Sequence, residues 1–232
     1  MPRALLSVYN KVGLIEFATS LAELGWELVA SGGTERALRA ASLPVTPVEQ
    51  LTNLPEMLGG RVKTLHPAIH AGILVRDRAD DMQELATHHY APINMVVCNL
   101  YPFQQTIDTP GGTLQDALEQ IDIGGVTLLR AGAKNFFRVL VVCDPADYGR
   151  VTAAVKASGD GDLALKRDLA VKAFAHTRDY DTAIHAYLAQ DTMPAPVEVT
   201  DEIPERLSIA ARRSGELRYG ENPHQSAGYF SR

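Results

Sequence analysis

INMVVCNLY (Ile93–Tyr101) opens on a short apolar run rich in β-branched residues and closes on polar Asn99 and Tyr101. It is the strongest strand signal in the chain. A run of this kind suits a strand buried on both faces, and such strands belong to parallel sheets covered by helices. The flanking sequence supplies neighbours and cover. ALLSVY (Ala4–Tyr9), WELVAS (Trp26–Ser31) and RVLVVCDP (Arg138–Pro145) are apolar runs of the same type, and PVTPVEQL (Pro44–Leu51) reads as a short strand and loop. Helical patterns lie between them. In KVGLIEFATSLAELG (Lys11–Gly25), Leu14, Phe17, Leu21 and Leu24 recur at three- and four-residue steps. ERALRAAS (Glu35–Ser42), the end of the stretch Pro55–Leu74, DDMQELATHH (Asp80–His89), GTLQDALEQ (Gly112–Gln120, Thr113 as N-cap), GGVTLLRAGAKN (Gly124–Asn135) and ADYGRVTAAVKAS (Ala146–Ser158) complete the set. Asp162–Ala189 is one long helix or two in series. Strands alternating with helices give an α/β fold, a parallel sheet flanked by helices. Ligands of such sheets bind beyond the carboxyl ends of the strands. Topology alone therefore singles out Ser7–Lys11, Ser31–Thr34 and Asn99–Phe103.

Composition narrows the function classes. With 28 acidic against 22 basic residues and a net charge of −6, the chain lacks the basic balance of a general nucleic-acid or membrane-surface binder. Its 232 residues suit one domain plus an appendage. Cys98 and Cys143 sit inside apolar strands, as buried thiols of a reducing compartment do. The start, MPRALLSVYNK, is too polar and short for a signal peptide, and no apolar run approaches the roughly 18 residues of a membrane helix. A cytoplasmic protein is expected. From Asp191 the composition shifts: DTMPAPVEVTDEIPE (Asp191–Glu205), with three prolines and five acids, reads as a linker. The tail LRYGENPHQSAGYF (Leu217–Phe230) is too short to fold alone.

Against this acidic background GGRVKTLHPAIHAGIL (Gly59–Leu74) runs sixteen residues without a carboxylate. A solvated loop usually mixes signs, so Arg61 and Lys63 point to an anion, with guanidinium gripping phosphate oxygens and ammonium acting as a point charge. SGGT (Ser31–Thr34) can present backbone N–H groups to a phosphate, or can be a tight turn with Thr34 as helix cap. It matches neither the Walker nor the dinucleotide fingerprint, which gives ATP and NAD little support. Ser7 and Lys11 can meet the same phosphate. His66 and His70 are four apart, but no HExxH glutamate or third ligand accompanies them, so a metal site is not expected. Asn99 and Tyr101 can read the edge of a heterocycle. Asp122 precedes Gly124 and Gly125 at a helix start, where a carboxylate suits the helix dipole or is a plain N-cap. Arg130 and Lys134 share a face of that helix. Asp122 and Lys134 are too far apart on one helix to touch, so they must reach any common site from different directions.

SGGT, PEMLGGRVKTLHPAIHAGIL, NLYPF, IDIGG, AKN and LRYGENPHQ, in this order, resemble the inosine monophosphate cyclohydrolase domain of the PurH family of bifunctional purine-biosynthesis proteins, from Ser7 to about Gln225. The resemblance implies a methylglyoxal synthase-like three-layer fold over residues 1–190. Residues 191–232 are then a linker and the start of a transformylase domain whose body is missing. The implied reaction is dehydrative closure of 5-formamidoimidazole-4-carboxamide ribotide to inosine monophosphate, with no metal or redox cofactor. Formyl transfer is not expected of this chain; a separate transformylase is one partner that could supply it. The implied catalytic set is Lys63, Tyr101, Asp122 and Lys134. The substrate-binding set is Ser7, Lys11, Ser31, Gly32, Gly33, Thr34, Arg61 and Thr64 at the phosphate, with Asn99, Ile123 and Gly124 bordering the base. Lys63 or Tyr101 would stabilise the oxyanion, Asp122 with Lys134 would act as base, and Lys134 would return the proton. The resemblance also implies a homodimer, with Asp162–Ala189 as interface. Gly132 stands where alanine is expected before AKN, and weakens a helix interior slightly. Two other functions fit the same fold: a non-catalytic nucleotide-binding module, and methylglyoxal synthase itself. The complete Lys/Tyr/Asp/Lys set argues against the first. NLYPF, IDIGG, AKN and the long segment beyond Asp162 argue against the second.

Overall fold

The computed structural model of the chain describes residues 1–109, 111–189, 212–218 and 227–231. It begins with β1 (Arg3–Val8), α1 (Leu14–Glu23), β2 (Glu27–Ala30), α2 (Gly32–Ala40), β3 (Thr46–Pro47) and α3 (Val48–Thr52). A 3₁₀ turn (Leu58–Gly60) leads into α4 (Pro67–Leu74) and α5 (Ala79–Thr87). β4 (Met95–Asn99), α6 (Phe103–Ile107), α7 (Leu114–Glu119), α8 (Ile123–Lys134), β5 (Leu140–Val142), α9 (Tyr148–Ser158) and α10 (Leu163–Leu188) follow. The chain divides into two units, residues 1–187 and residues 188–232.

The first five strands form one sheet in the order β3-β2-β1-β4-β5, every pair parallel. Leu5 of β1 lies opposite Val29 on one side and Val96 on the other. These three, with Leu6, Val97, Val141 and Val142, are buried, as expected of strands covered on both faces. α1 packs on α2 and α9, while α8 packs on α4, β4 and β5. Leu14, Phe17 and Leu21 turn α1 into the core, and Leu128 and Leu129 do the same for α8. Gly132 has a packing reason here. A Cβ at that position would stand 3.2 Å from Val141, so glycine lets α8 lie close on β5. Both cysteines are buried free thiols.

Several local expectations change. PVTPVEQL forms a two-residue strand and then the short helix α3, and NLYPF runs directly into α6, a helix no periodicity announced. Thr113 does cap α7, in a reciprocal capping box with Asp116. α10 is a single helix, with Leu169, Ala170, Ala173, Thr177 and Tyr180 along its buried stripe. The linker expected at Asp191–Glu205 and residues 219–225 of the tail motif lie outside the described residues. In the second unit β6 (Arg212–Leu217) pairs antiparallel with β7 (Ala227–Ser231), with an irregularity between Arg213 and Gly215. No helix among the described residues is long and apolar enough to cross a membrane.

Thr34 does not cap α2; Ser31 occupies the N-cap position, and its side chain makes no capping bond. The buried Thr34 hydroxyl accepts from the Val8 N–H at 3.0 Å and donates to the Val8 carbonyl at 3.1 Å. It ties the start of α2 to the end of β1. Thr34→Val keeps the shape and strands both backbone groups. Urea unfolding should report a loss of about 1–3 kcal/mol.

Candidate active site

A cleft of about 600 Å³ opens at the carboxyl ends of β1, β2 and β4. It sits where the strand order reverses, between β1 and β4, the position general to open parallel sheets. Ser7, Tyr9 and Lys11 line it from the end of β1, Ser31, Gly33 and Thr34 from the start of α2, and Asn99 and Tyr101 from the end of β4. The opposing wall holds Arg61, Lys63 and Thr64, with Glu119 and Ile121–Gly125 from the α7–α8 region. Of the expected set, Gly32 and Lys134 do not line it. Gly32 is adjacent: at φ +54 it brings backbone so close to Lys63 that a Cβ would lie 2.9 Å from Nζ. Lys134 is a different case. It is exposed, at the last position of α8, and twelve residues at the helical rise put it about 18 Å along the axis from Asp122. This chain does not bring its own Lys134 to its own cleft.

The cationic end of the cleft is built on α2. Its first N–H groups have no intrahelical acceptor and carry the positive end of the helix dipole. Lys63 Nζ reaches the Gly32 end, and Lys11 Nζ lies 3.7 Å from where a Gly33 Cβ would be. Cations at a helix N-terminus are unfavourable in isolation, by about 0.3–1 kcal/mol each, and an anion placed between them would relieve that cost. Arg61 pairs with Glu119 across the cleft mouth, and Gln115 also donates to Glu119. The acid-free stretch therefore faces an acid from another helix.

Asn99 lines the cleft, but its amide is engaged. Its Oδ1 accepts from the N–H groups of Tyr9 and Asn10 at 2.7 and 2.9 Å, and its Nδ2 donates to the Asn10 carbonyl at 2.9 Å. Asn99 thus holds the β1–α1 loop. The Tyr9 ring meets Tyr101 edge-on at 5.7 Å. Burial raises the Tyr101 hydroxyl above its ordinary pKa, and the Asp122 charge adds to this. His66 caps α4, its Nδ1 accepting from the Ala68 N–H at 3.1 Å. Burial lowers the pKa of His70, and its Nε2 has no hydrogen-bond partner. Among the described residues no cluster of three His, Cys, Asp or Glu side chains is arranged to hold a metal.

Asp122 is the N-cap of α8, its Oδ1 accepting from the Gly125 N–H at 2.7 Å. Both glycines are required by space. A Cβ on Gly124 would lie 2.9 Å from Thr64 Oγ1, and one on Gly125 would lie 2.4 Å from Asp122 Oδ2. Burial raises the Asp122 pKa from its ordinary value, with the Gly125 N–H and Lys63 opposing. Tyr9, Glu119 and Tyr180 are the participants that sequence patterns missed. Tyr180 reaches the Asp122 backbone from α10, and only the rule that a buried hydroxyl finds a partner hinted at it.

Two family models divide the chain. An MGS-like domain matches residues 13–127, and the AICARFT/IMPCHase bienzyme model matches residues 132–232. A bifunctional purine biosynthesis protein PurH from Chloroflexus aurantiacus is 53% identical over 98% of this chain and 43% of its own length. One from Cyanothece sp. is 53% identical over 99% of this chain and 44% of its own, and one from Listeria monocytogenes is 47% identical over the whole chain and 44% of its own. The chain spans under half the length of these relatives. Among solved structures, the crystal structure of ForH superposes with a TM-score of 0.72 at 33% identity, covering 81% of this chain and 98% of that one. The α/β, methylglyoxal synthase-like class expected from the sequence is met.

The raised Asp122 pKa carries a stability consequence. In the folded state the carboxyl holds its proton to higher pH than in the unfolded chain, so ionising it costs stability as pH rises through the folded pKa. Asp122→Asn keeps an acceptor for Gly125 and removes the charge. Its melting temperature should exceed that of the parent at neutral pH, and the difference should close as pH falls to the ordinary carboxylate range. A variant no more stable at pH 7 would contradict the burial of the charge.

Proposed function

Because the chain belongs to the AICARFT/IMPCHase bienzyme family, we propose that it acts in purine biosynthesis as an inosine monophosphate cyclohydrolase. The observation that carries this reading is the pairing, in one cleft, of a cationic helix N-terminus with a half-buried carboxylate, a phenol and an ammonium group. The first suits a ribotide phosphate. The second set suits closure of a ring by an amide attacking a formyl carbon. A volume of about 600 Å³ fits a nucleotide, whereas a triose phosphate would leave most of it unfilled.

In the proposed reaction the carboxamide nitrogen forms a bond to the formyl carbon and loses a proton. The formyl oxygen becomes an alkoxide and takes up one proton as a hydroxyl. The hydroxyl takes a second proton and leaves as water while the formamide nitrogen gives up its own proton, so that the new C–N double bond completes the purine. An amide nitrogen is a poor nucleophile. Asp122 is our base, and its raised pKa brings it nearer the operating pH, where such a group is most effective. Tyr101 keeps its proton at neutral pH and can donate to the developing oxyanion, with Lys63 alongside. Ser7, Lys11, Ser31–Thr34, Arg61 and Thr64 take the phosphate, so binding displaces Glu119 from Arg61. Ile123 and Gly124 border the base.

A role for Lys134 needs a second copy of the chain, since α8 holds it about 18 Å from Asp122. In the homodimer we infer, each subunit would lend Lys134 to the other, where it assists Asp122 and returns a proton.

The first test is ring closure by the purified chain, followed by absorbance. Asp122→Asn should lower kcat by about 10²–10⁴, and a loss under about tenfold would remove it from the base role. Absence of closure in the parent, with inosine monophosphate still bound, would instead favour a binding module. A mixing experiment checks the shared site. Lys63→Ala and Lys134→Ala chains, each inactive alone, should recover about a quarter of parent activity when co-refolded, because half the dimers carry one intact site. No recovery would rule out the loan of Lys134 between subunits.

A further inference from the structure

The turn between α7 and α8 delivers Asp122 to the cleft. Within it the Gln120 and Ile121 N–H groups are satisfied by α7 itself, bonding to the Ala117 and Leu118 carbonyls. The Asp122 N–H finds its partner elsewhere. It donates at 2.8 Å to the hydroxyl of Tyr180, 58 residues away on α10. The same hydroxyl donates at 2.7 Å to the Gln120 carbonyl. One O–H group has one proton to give and lone pairs to accept with, so a single oxygen closes both bonds. The ring is held too: Tyr180 is buried and meets Phe103, the buried residue that starts α6, edge-on at 6.2 Å.

We propose that Tyr180 is a positioning residue for the cleft, its hydroxyl fixing the backbone of the Gln120–Asp122 turn and so the direction from which the Asp122 carboxyl meets substrate. The proposal rests on Asp122 as the working base. Gly125 fixes the carboxyl group and Tyr180 fixes the main chain from which it projects, so the side chain is anchored at both ends. Without the hydroxyl, Asp122 N–H and Gln120 C=O lose their partner in a half-buried turn, and water is the alternative. The turn would then shift or open. An error of about 1 Å in a catalytic group can cost on the order of 10²-fold in rate.

Tyr180→Phe removes the oxygen and keeps the ring against Phe103. Tyr187→Phe is the control, since it lies on the same helix and its ring also packs edge-on against Phe103. Tyr180→Phe should lower kcat by about 10- to 100-fold with KM changed less than about threefold, and Tyr187→Phe should match the parent. In an Asp122→Asn background Tyr180→Phe should cost nothing further, because its effect passes through Asp122. A second readout needs no turnover: ¹³C titration of the Asp122 carboxyl. The ionisable groups facing it are Lys63, Tyr101, Cys98 and Tyr180. Tyr180→Phe should move the Asp122 pKa down, toward the ordinary carboxylate range, as water enters the turn. An unchanged kcat, a full multiplicative loss in the double variant, or an unchanged Asp122 titration would each overturn the proposal. A parent that closes no ring but whose Asp122 titration still answers to Tyr180→Phe would sink the cyclohydrolase reading and leave the positioning role standing.

Discussion

Crossovers between parallel strands are right-handed, and the placement of the cleft follows from that constraint. A chain adding strands toward one edge keeps its helices on one face. When it turns to the other edge it must change faces. Here β1, β2 and β3 run to one edge with α1 and α2 together, and β4 and β5 run to the other beneath α8. Between β1 and β4 the two directions part, and no crossover covers the gap. The loops on either side are then tied across it. Asn99 holds the backbone of Tyr9 and Asn10, and Thr34 holds the end of β1.

Within that gap the charges are arranged against stability. Lys63 and Lys11 stand at the positive end of a helix, and Asp122 is a carboxylate drawn out of water. Each placement is unfavourable for the protein alone and, on the proposed reading, favourable toward a substrate that brings a phosphate and needs a proton removed. Local departures from good folding practice are expected at functional sites. The glycines follow the same logic. Gly124 and Gly125 open α8 with residues of poor helix propensity because Thr64 and the Asp122 carboxyl occupy the space a side chain would take.

Architecture was legible wherever one physical cause dominated. Buried strands such as Met95–Asn99 declare themselves by apolar runs, α1 by its period, and α7 by its N-cap Thr113. Short elements were not. α3 and α6 have five residues each, too few to show a period, and are set by what they pack on. The strand-end rule pointed to three segments, and all three contribute to the cleft. What it could not supply was the use of each side chain. Thr34 looked like a cap and is a strand clamp; Asn99 looked like a reader of heterocycles and holds a loop. Both are short polar side chains whose choice between local and long-range partners depends on which backbone groups the fold leaves unsatisfied. Glu119 and Tyr180 are each 58 residues from the group they serve, a separation no local pattern records.

α8 shows how far one rigid element can extend the chemistry. Its N-terminus shapes the cleft through Asp122 and the two glycines, and its buried face is fixed on β4 and β5. Its C-terminus cannot bend back, so Lys134 stands exposed about 18 Å along the axis from Asp122. A helix is thus a poor device for bringing its own two ends together and a good one for spanning two sites. In a two-fold assembly any such loan is mutual: if one copy extends Lys134 toward the second, symmetry makes the second do the same. On the proposed reading, the separation that removes Lys134 from its own cleft makes catalysis depend on association. Tyr180 then has a further consequence, because it ties the start of α8 to α10, the helix expected at the interface. The turn that aims Asp122 and the surface that would pair the subunits belong to one packed unit, so disturbance of either should be felt at the other.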